Sequence, residues 1–377
     1  VGPVIAVVGG GQLARMMQQA AVGLGVHLRA LVEDAGGSAA QVVPDAPVGR
    51  ADDAAAVRSL LAGADVLTFE HEHVPADLLR ALEADGVAVR PGSAALAHAQ
   101  DKIVMRRRLA ELGVPGPRWA PVADAAALRR FGDDVGWPVV VKTARGGYDG
   151  KGVRVVADAT GADDWFGGLG AGEELLAEER VPFVRELAVL LARRPSGEVR
   201  AWPVVETVQR DGICAEVLAP APGLDPARAA EAVAVGERIA EGLDVTGVLA
   251  VEMFELPDGR IAVNELAMRP HNSGHWTIDG ATTSQFEQHL RAVLDLPLGE
   301  TAPRAPVSVM VNLLGSALPD PTQALPAVLA AHPAARVHLY GKEVRPGRKL
   351  GHVTVVGDDV GAARAAASGA VALLRGE

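Results

Sequence analysis

"LAVEMFELPDGRIAVNELAM", residues 249–268, holds two apolar runs around a turn dipeptide, and its folding back on itself decides how the rest of the chain is read. Asp258-Gly259 favours a two-residue hairpin loop, which sets Glu252 directly opposite Glu265. Carboxylates facing each other across a sheet repel, and the apolar flanks imply burial, so a cation is expected beside them. An all-oxygen pair suits a hard ion such as Mg²⁺, which keeps some water and takes substrate phosphates in its other positions. A solvated acidic pair, or one bridged by Arg269, also balances the charge, and the hairpin alone leaves these alternatives open. The same register puts Asn264 on the opposite face from the carboxylates.

Upstream lies "VVVKTARGGYDGKGV", residues 139–153. Lys142 ends a strand, and the loop through Gly146, Gly147, Gly150 and Gly152 has amides able to cover phosphates while Lys142 and Lys151 supply charge. No Gly-Lys-Ser/Thr opens a helix here, so this is not a Walker A loop; a ligand-free glycine hairpin is the alternative. Lys102, in "QDKIVMRRR", is a third cation, or one residue of a solvated helix face. In "AEERVPF", residues 177–183, a strand ends in a segment able to read an adenine edge through its backbone, with Glu186 placed to accept from ribose hydroxyls.

Downstream, "AMRPHNSGHWT", residues 267–277, gathers Arg269, His271, Asn272, Ser273 and His275 with little apolar content, which a core does not need. Without cysteines or a third histidine at zinc spacing, an anion site with a candidate general base fits better. "YGKEVRPGRKLGH", residues 340–352, concentrates Lys342, Arg345, Arg348 and Lys349 in an acidic chain, either as a solvated loop or as a phosphomonoester site.

The N-terminal "VVGGGQLARM", residues 7–16, reads as strand, glycine turn and helix. Gly9-x-Gly11-x-x-Ala14 satisfies a relaxed dinucleotide fingerprint, with Glu33-Asp34 at about the ~20-residue offset of a ribose-binding acid. The same glycines serve any fold whose helix amides must approach another group closely. Alternating strands and helices through "VAV" at residues 87–89 imply a small parallel sheet. A single helix is expected through "AQDKIVMRRRLAELG", followed by an α+β insertion and, at the end, strands with an alanine-rich helix.

With 377 residues the chain is expected to hold two or three domains. A net charge of −11 argues against general nucleic-acid or anionic-membrane binding. Cys214 is the only cysteine, so no intrachain disulfide forms. Lacking a signal segment or a membrane-length apolar run, the chain is expected to be soluble and cytoplasmic; its first residue, Val1, reads as a trimmed terminus.

In this order, "GGGQLARMM", "FEHEHVP", "KTARGGYDGKG", "NELAMRPHNSGHWT" and "RPGRKLGH" resemble the ATP-grasp enzymes, and among them the 5-(carboxyamino)imidazole ribonucleotide synthases of purine biosynthesis. The resemblance runs nearly end to end. It implies an α/β and α+β architecture: a Rossmann-like (pre-ATP-grasp) domain at 1–98, an ATP-grasp domain at 99–297 with an inserted lid at about 122–205, and a small C-terminal domain at 298–377. ATP would be the co-substrate, held by Lys102, Lys142, the loop Gly147, Tyr148, Asp149, Gly150, Lys151 and Gly152, by Glu178, Glu179, Arg180, Val181 and Glu186, and by Asn264 and Glu265. Glu252 and Glu265 would bind Mg²⁺, with Mn²⁺ able to substitute; neither NAD nor biotin is implied.

The resemblance further implies that bicarbonate attacks ATP to give carboxyphosphate and that 5-aminoimidazole ribonucleotide is then carboxylated. Arg269, His271 and Lys342 are the catalytic candidates, Arg269 as a fork for carbonate and His271 as a proton carrier or hydrogen-bonding group. Substrate would be held by Gln12, Glu72, Tyr148, Asp149, Lys151, His271, Asn272, Ser273, Lys342, Arg345, Arg348 and Lys349. Gln209 stands where the family often has a histidine. The glycine turn would then serve fold closure or the imidazole nucleotide's phosphate. A homodimer is implied. Competing readings are a formate-dependent glycinamide ribonucleotide transformylase, an NAD-dependent dehydrogenase and a nonenzymatic nucleotide sensor.

Overall fold

The computed structural model describes residues 2–147 and 151–377; Tyr148, Asp149 and Gly150 of the expected phosphate loop lie outside the described residues. At the N-terminus, Val4–Val8 lies between His27–Leu31 and Val66–Phe69 in a parallel three-stranded sheet. Its continuous apolar run is needed because both faces are covered. Ile5 and Val7 pack with Phe286, Leu290 and Val293 of the distant helix Gln285–Val293, while Ala6 and Val8 join Leu79 and Leu82 in a second core. The N-terminal sheet is thereby fused to the centre of the molecule.

A four-stranded antiparallel sheet, in the order Trp119–Val122, Leu175–Glu179, Val139–Thr143, Val153–Val156, forms the lid, with its own core around Leu128, Val139 and Val141. The remaining strands build one nine-stranded sheet, in which Ile213–Ala219 pairs with Val307–Leu314, so the C-terminal segment extends the same sheet. The lid expected to reach residue 205 is shorter. Arg185–Arg193 pairs along its length with Gly247–Glu255, and Val205–Arg210 with Arg185–Arg193, because their apolar residues join the large core.

The helix expected through "AQDKIVMRRRLAELG" is broken at Asp101 into Ser93–Gln100 and Lys102–Glu111. Asp101 has extended backbone, and its side chain accepts from the N–H groups of Ile103 and Val104. This N-cap satisfies amides that a continuous helix would have bonded to carbonyls. The break starts a new helix at Lys102. Among the described residues, no helix is long and apolar enough to cross a membrane.

Candidate active site

The hairpin Gly247–Glu255/Ile261–Ala267 sets Glu252 opposite Glu265, as its sequence predicts, but by another route. The loop is not the two-residue Asp258-Gly259 turn: Leu256 and Arg260 pair across three residues, with Gly259 at φ 80°. A glycine with positive φ closing a three-residue loop is the common bulged hairpin. That loop alone would offset the carboxylates by one residue. A bulge restores them: Glu252 pairs with Glu265 but Met253 with Val263, leaving Asn264 as the extra residue. The expected placement of Asn264 on the far face is therefore wrong. Released from the ladder, its Oδ1 accepts from Lys142 Nζ at 3.1 Å.

The carboxylates line a cleft of about 1780 Å³ between the N-terminal sheet, the lid and the large sheet. They are less enclosed than the apolar flanks suggest, with side-chain exposures of 27% for Glu252 and 44% for Glu265. Desolvation, together with the charges of Glu265 and Glu186, pushes Glu252 up to about 8. Arg269 does not bridge the pair, since its Nε donates to Glu72 at 2.9 Å and its Nη1 to Pro270 O at 3.2 Å. Glu265 has Lys102 Nζ at 3.6 Å, and Glu252 has His271 Nε2 at 3.4 Å. Two facing carboxylates, one of them raised by desolvation and by its negative neighbours, have the donor chemistry that a hard divalent cation takes.

Lys142 is buried between Asn264 and Glu178, whose Oε2 lies 2.7 Å from its Nζ. Burial works to raise the pKa of Glu178, but Lys142 and Arg106 outweigh it and hold the carboxyl below its ordinary range. Lys102 Nζ donates to Gly146 O at 2.9 Å, tying the glycine loop to the start of its helix. Gly147 and Lys151 line the cleft, whereas Gly152 serves the turn, its carbonyl accepting from Thr143 N at 2.9 Å. Glu179, Arg180, Val181 and Glu186 follow along one wall. Arg118 N donates to the Glu179 carboxylate at 2.9 Å. Glu186, raised by burial, takes a hydrogen bond from Gln209. Phe183 stacks on Phe254 at 4.7 Å beside this wall, a pair not singled out in the sequence because one residue lies in the connection before Arg185–Arg193 and the other in the distant strand Gly247–Glu255.

At the other end, Gln12, Glu72, Asn272, Lys342, Arg345, Arg348 and Lys349 line the same cleft. Lys342 Nζ donates to Gln12 Oε1, joining the C-terminal basic loop to the N-terminal helix. Glu343 partly neutralises the loop, accepting from Arg345 Nη2 at 2.6 Å. Ser273, expected among the substrate-binding residues, is fully buried and does not line the cleft among the described residues; its hydroxyl lies 2.9 Å from His271 Nδ1. Ser273 N–H also donates to that nitrogen at 3.3 Å, which makes Nδ1 the acceptor and leaves the proton on Nε2, facing Glu252. Burial, with Arg269 and Lys349 nearby, pulls His271 down to about 3. The ring is thus a neutral donor toward the cleft.

The glycine turn is already occupied. Glu70, in "FEHEHVP", extends its carboxylate to the N–H groups of Gly11 and Ala14 at the start of helix Gln12–Leu24. A Cβ on Gly11 would lie 2.0 Å from Glu70 Oε1, so the glycine is required by this approach. The anion-binding end of the helix receives an internal carboxylate in place of the pyrophosphate or substrate phosphate that the turn suggests. Glu70 escaped the sequence reading because only the fold brings it to the turn.

Comparison with known proteins agrees with this geometry. The family models described as ribonucleotide synthetase preATP-grasp domain, ATP-grasp domain and phosphoribosylaminoimidazole carboxylase C-terminal domain match residues 3–100, 107–286 and 308–366. The N5-carboxyaminoimidazole ribonucleotide synthase of Mycobacterium tuberculosis is 56% identical over 364 residues, covering 96% of this chain and 85% of that protein. A solved ADP complex of an N5-carboxyaminoimidazole ribonucleotide synthetase superposes with a TM-score of 0.90 at 35% identity, covering 100% of this chain and 98% of that one. The Aspergillus clavatus synthase, solved with ADP and 5-aminoimidazole ribonucleotide, gives 0.89 at 33% identity, covering 99% and 98%. With its three regions matched in order and its full length shared, the chain belongs to the N5-carboxyaminoimidazole ribonucleotide synthase family of ATP-grasp proteins.

Proposed function

We propose that the chain carboxylates 5-aminoimidazole ribonucleotide at the expense of ATP and bicarbonate, releasing ADP and phosphate. The observation that carries this reading is a single cleft with a carboxylate-and-lysine end, at Glu252, Glu265, Lys102 and Lys142, and a basic end, at Lys342, Arg345, Arg348 and Lys349. A nucleoside triphosphate fits the first and a ribonucleotide 5′-phosphate the second. A bicarbonate oxygen attacks the γ-phosphorus, the bond to ADP breaks, and carboxyphosphate forms. The amine of the imidazole then attacks the carboxyl carbon, either in carboxyphosphate with loss of phosphate or in the CO₂ released from it together with phosphate, and the nitrogen loses a proton.

Lys102 and Lys142 offset charge on the phosphates as it moves to ADP. Glu252 and Glu265 would hold Mg²⁺, which when bound supplies further neutralisation of phosphate charge. Glu72 fixes the guanidinium of Arg269 at its Nε, orienting the fork for a planar carbonate. His271 donates from Nε2 and takes no proton at neutral pH. Carboxyphosphate hydrolyses readily, so the lid sheet over the cleft excludes water during transfer. We infer a homodimer from family membership.

The test is ADP release with Mg-ATP and bicarbonate, with and without 5-aminoimidazole ribonucleotide. Bicarbonate-dependent release stimulated by the ribonucleotide supports the reading. Release that answers only to formate and glycinamide ribonucleotide overturns it.

A further inference from the structure

Arg106 lines no part of the cleft among the described residues, yet it touches both elements that carry the nucleotide end. It lies four residues after Lys102 on helix Lys102–Glu111, hence on the same face, and its side chain is 2% exposed. Nε donates to Glu178 Oε1 at 2.5 Å, Nη1 to Val263 O at 2.7 Å and Nη2 to Asn264 O at 2.8 Å. Glu178 belongs to the lid strand Leu175–Glu179, and the two carbonyls belong to the bulge that keeps Glu265 opposite Glu252.

These contacts close a circuit. Arg106 holds one oxygen of Glu178, whose other oxygen holds Lys142 Nζ at 2.7 Å. Lys142 in turn donates to the side chain of Asn264, whose carbonyl returns to Arg106. Buried carbonyls at a bulge need donors that the ladder no longer provides. One guanidinium, with its donors in a fixed fork, supplies them and neutralises Glu178 together with Lys142.

We propose that Arg106 is a positioning residue for the nucleotide: without touching ATP, it sets the place of Lys142 through Glu178 and that of Glu265 through the bulge. It shares the charge of Glu178, so that Lys142 is not wholly engaged by that carboxylate and keeps attraction for phosphate. Without Arg106, a buried carboxylate is left with Lys142 as its partner in this circuit, and the lysine is drawn toward it.

The proposal rests on the ATP-dependent reading above, so its readout is MgADP affinity by calorimetry, while turnover of the parent protein tests that reading separately. Arg106→Met is expected to weaken MgADP binding about tenfold, a loss of about 1.4 kcal/mol, with affinity for 5-aminoimidazole ribonucleotide changed less than twofold. Adding Glu178→Gln, which removes the charge but keeps the side chain's place on the cleft wall between Lys142 and Arg106, should recover at least about threefold of the MgADP affinity, because the unpaired carboxylate is gone. Equal weakening of both ligands, or no recovery in the double variant, overturns the proposal and leaves Arg106 a merely structural residue. Should Arg106→Met fail to fold, Arg106→Lys keeps the charge but cannot serve Glu178 and both carbonyls together. It should weaken MgADP about threefold and leave the ribonucleotide unaffected, and unchanged MgADP affinity overturns the proposal.

Discussion

Glu70 and Gly11 meet at the start of the first helix, where the carboxylate accepts the glycine N–H and its neighbour Ala14 adds a second bond at 3.3 Å. A protein side chain thus takes the place that a bound phosphate holds in dinucleotide-binding folds. Burial raises the pKa of Glu70, and the helix amides, Lys342 and Arg269 act against that rise.

Glu70→Ala should cost about 1 kcal/mol, the ordinary cost of a lost helix cap, and should leave the amides open to an outside anion. Added phosphate is therefore expected to raise the melting temperature of the variant more than that of the parent, in which the Gly11 and Ala14 amides are already taken by Glu70. Equal stabilisation of both proteins would show that the amides were never closed to anions.

The carboxylate pair makes a prediction with a defined sign. Glu252, pushed up to about 8, is largely protonated near neutrality and must lose its proton to bind a cation. Mg²⁺ affinity should fall by up to about tenfold per pH unit below 8 and level off above it, with a proton released on binding. Calorimetry at pH 7 in two buffers of different ionisation enthalpy measures that proton. Glu265→Gln should lower turnover by on the order of 10²-fold with the circular dichroism spectrum unchanged; full activity would sink the metal assignment.

Arg345→Ala and Arg348→Ala should each raise the KM for 5-aminoimidazole ribonucleotide about tenfold, as expected for one charge-assisted hydrogen bond to phosphate. The KM for ATP should stay within about twofold of the parent value, because in the proposed division its phosphates lie with the lysines at the other end. Parallel loss for both substrates would refute the division of the cleft.

Stability should depend on pH through His289. Val248 N–H donates to its Nδ1 at 3.0 Å, so the proton sits on Nε2, 2.8 Å from Thr68 Oγ1. Burial pulls the ring down to about 3 from an ordinary 6.5. The unfolded chain therefore takes up a proton below 6.5 that the folded one refuses until about 3. Stability attributable to this residue is intact above 6.5 and declines as the pH falls, reaching about 2 kcal/mol lost at pH 5. His289→Asn, less stable at pH 7.5, should lose less between pH 7 and 5 than the parent in urea melts. Identical slopes would remove His289 from the acid response.

Reading the chain residue by residue goes furthest where neighbours in sequence are neighbours in space. The apolar run Val4–Val8 before a glycine turn, the hairpin around Gly259 and the basic cluster from Lys342 to Lys349 are local patterns, and a strand period or a turn dipeptide suffices to see them. Even there, the bulge at Asn264 was hidden, because a one-residue shift in register leaves no mark in apolar alternation and here offsets an error in loop length.

Position along the chain and elementary patterning determined that this is an α/β chain with an acidic hairpin, a glycine loop and a basic C-terminal loop. Which charges meet was decided by the tertiary structure. Glu70 reaches Gly11 across 59 residues, Arg106 reaches Glu178 across 72, and Gln12 reaches Lys342 across 330. In "QDKIVMRRR" nothing local marks one arginine from the next, yet Arg106 is buried. The physical reason is that a buried ion pair depends on where the chain puts its partner, and that information resides in packing, not in the spacing of either residue's own segment.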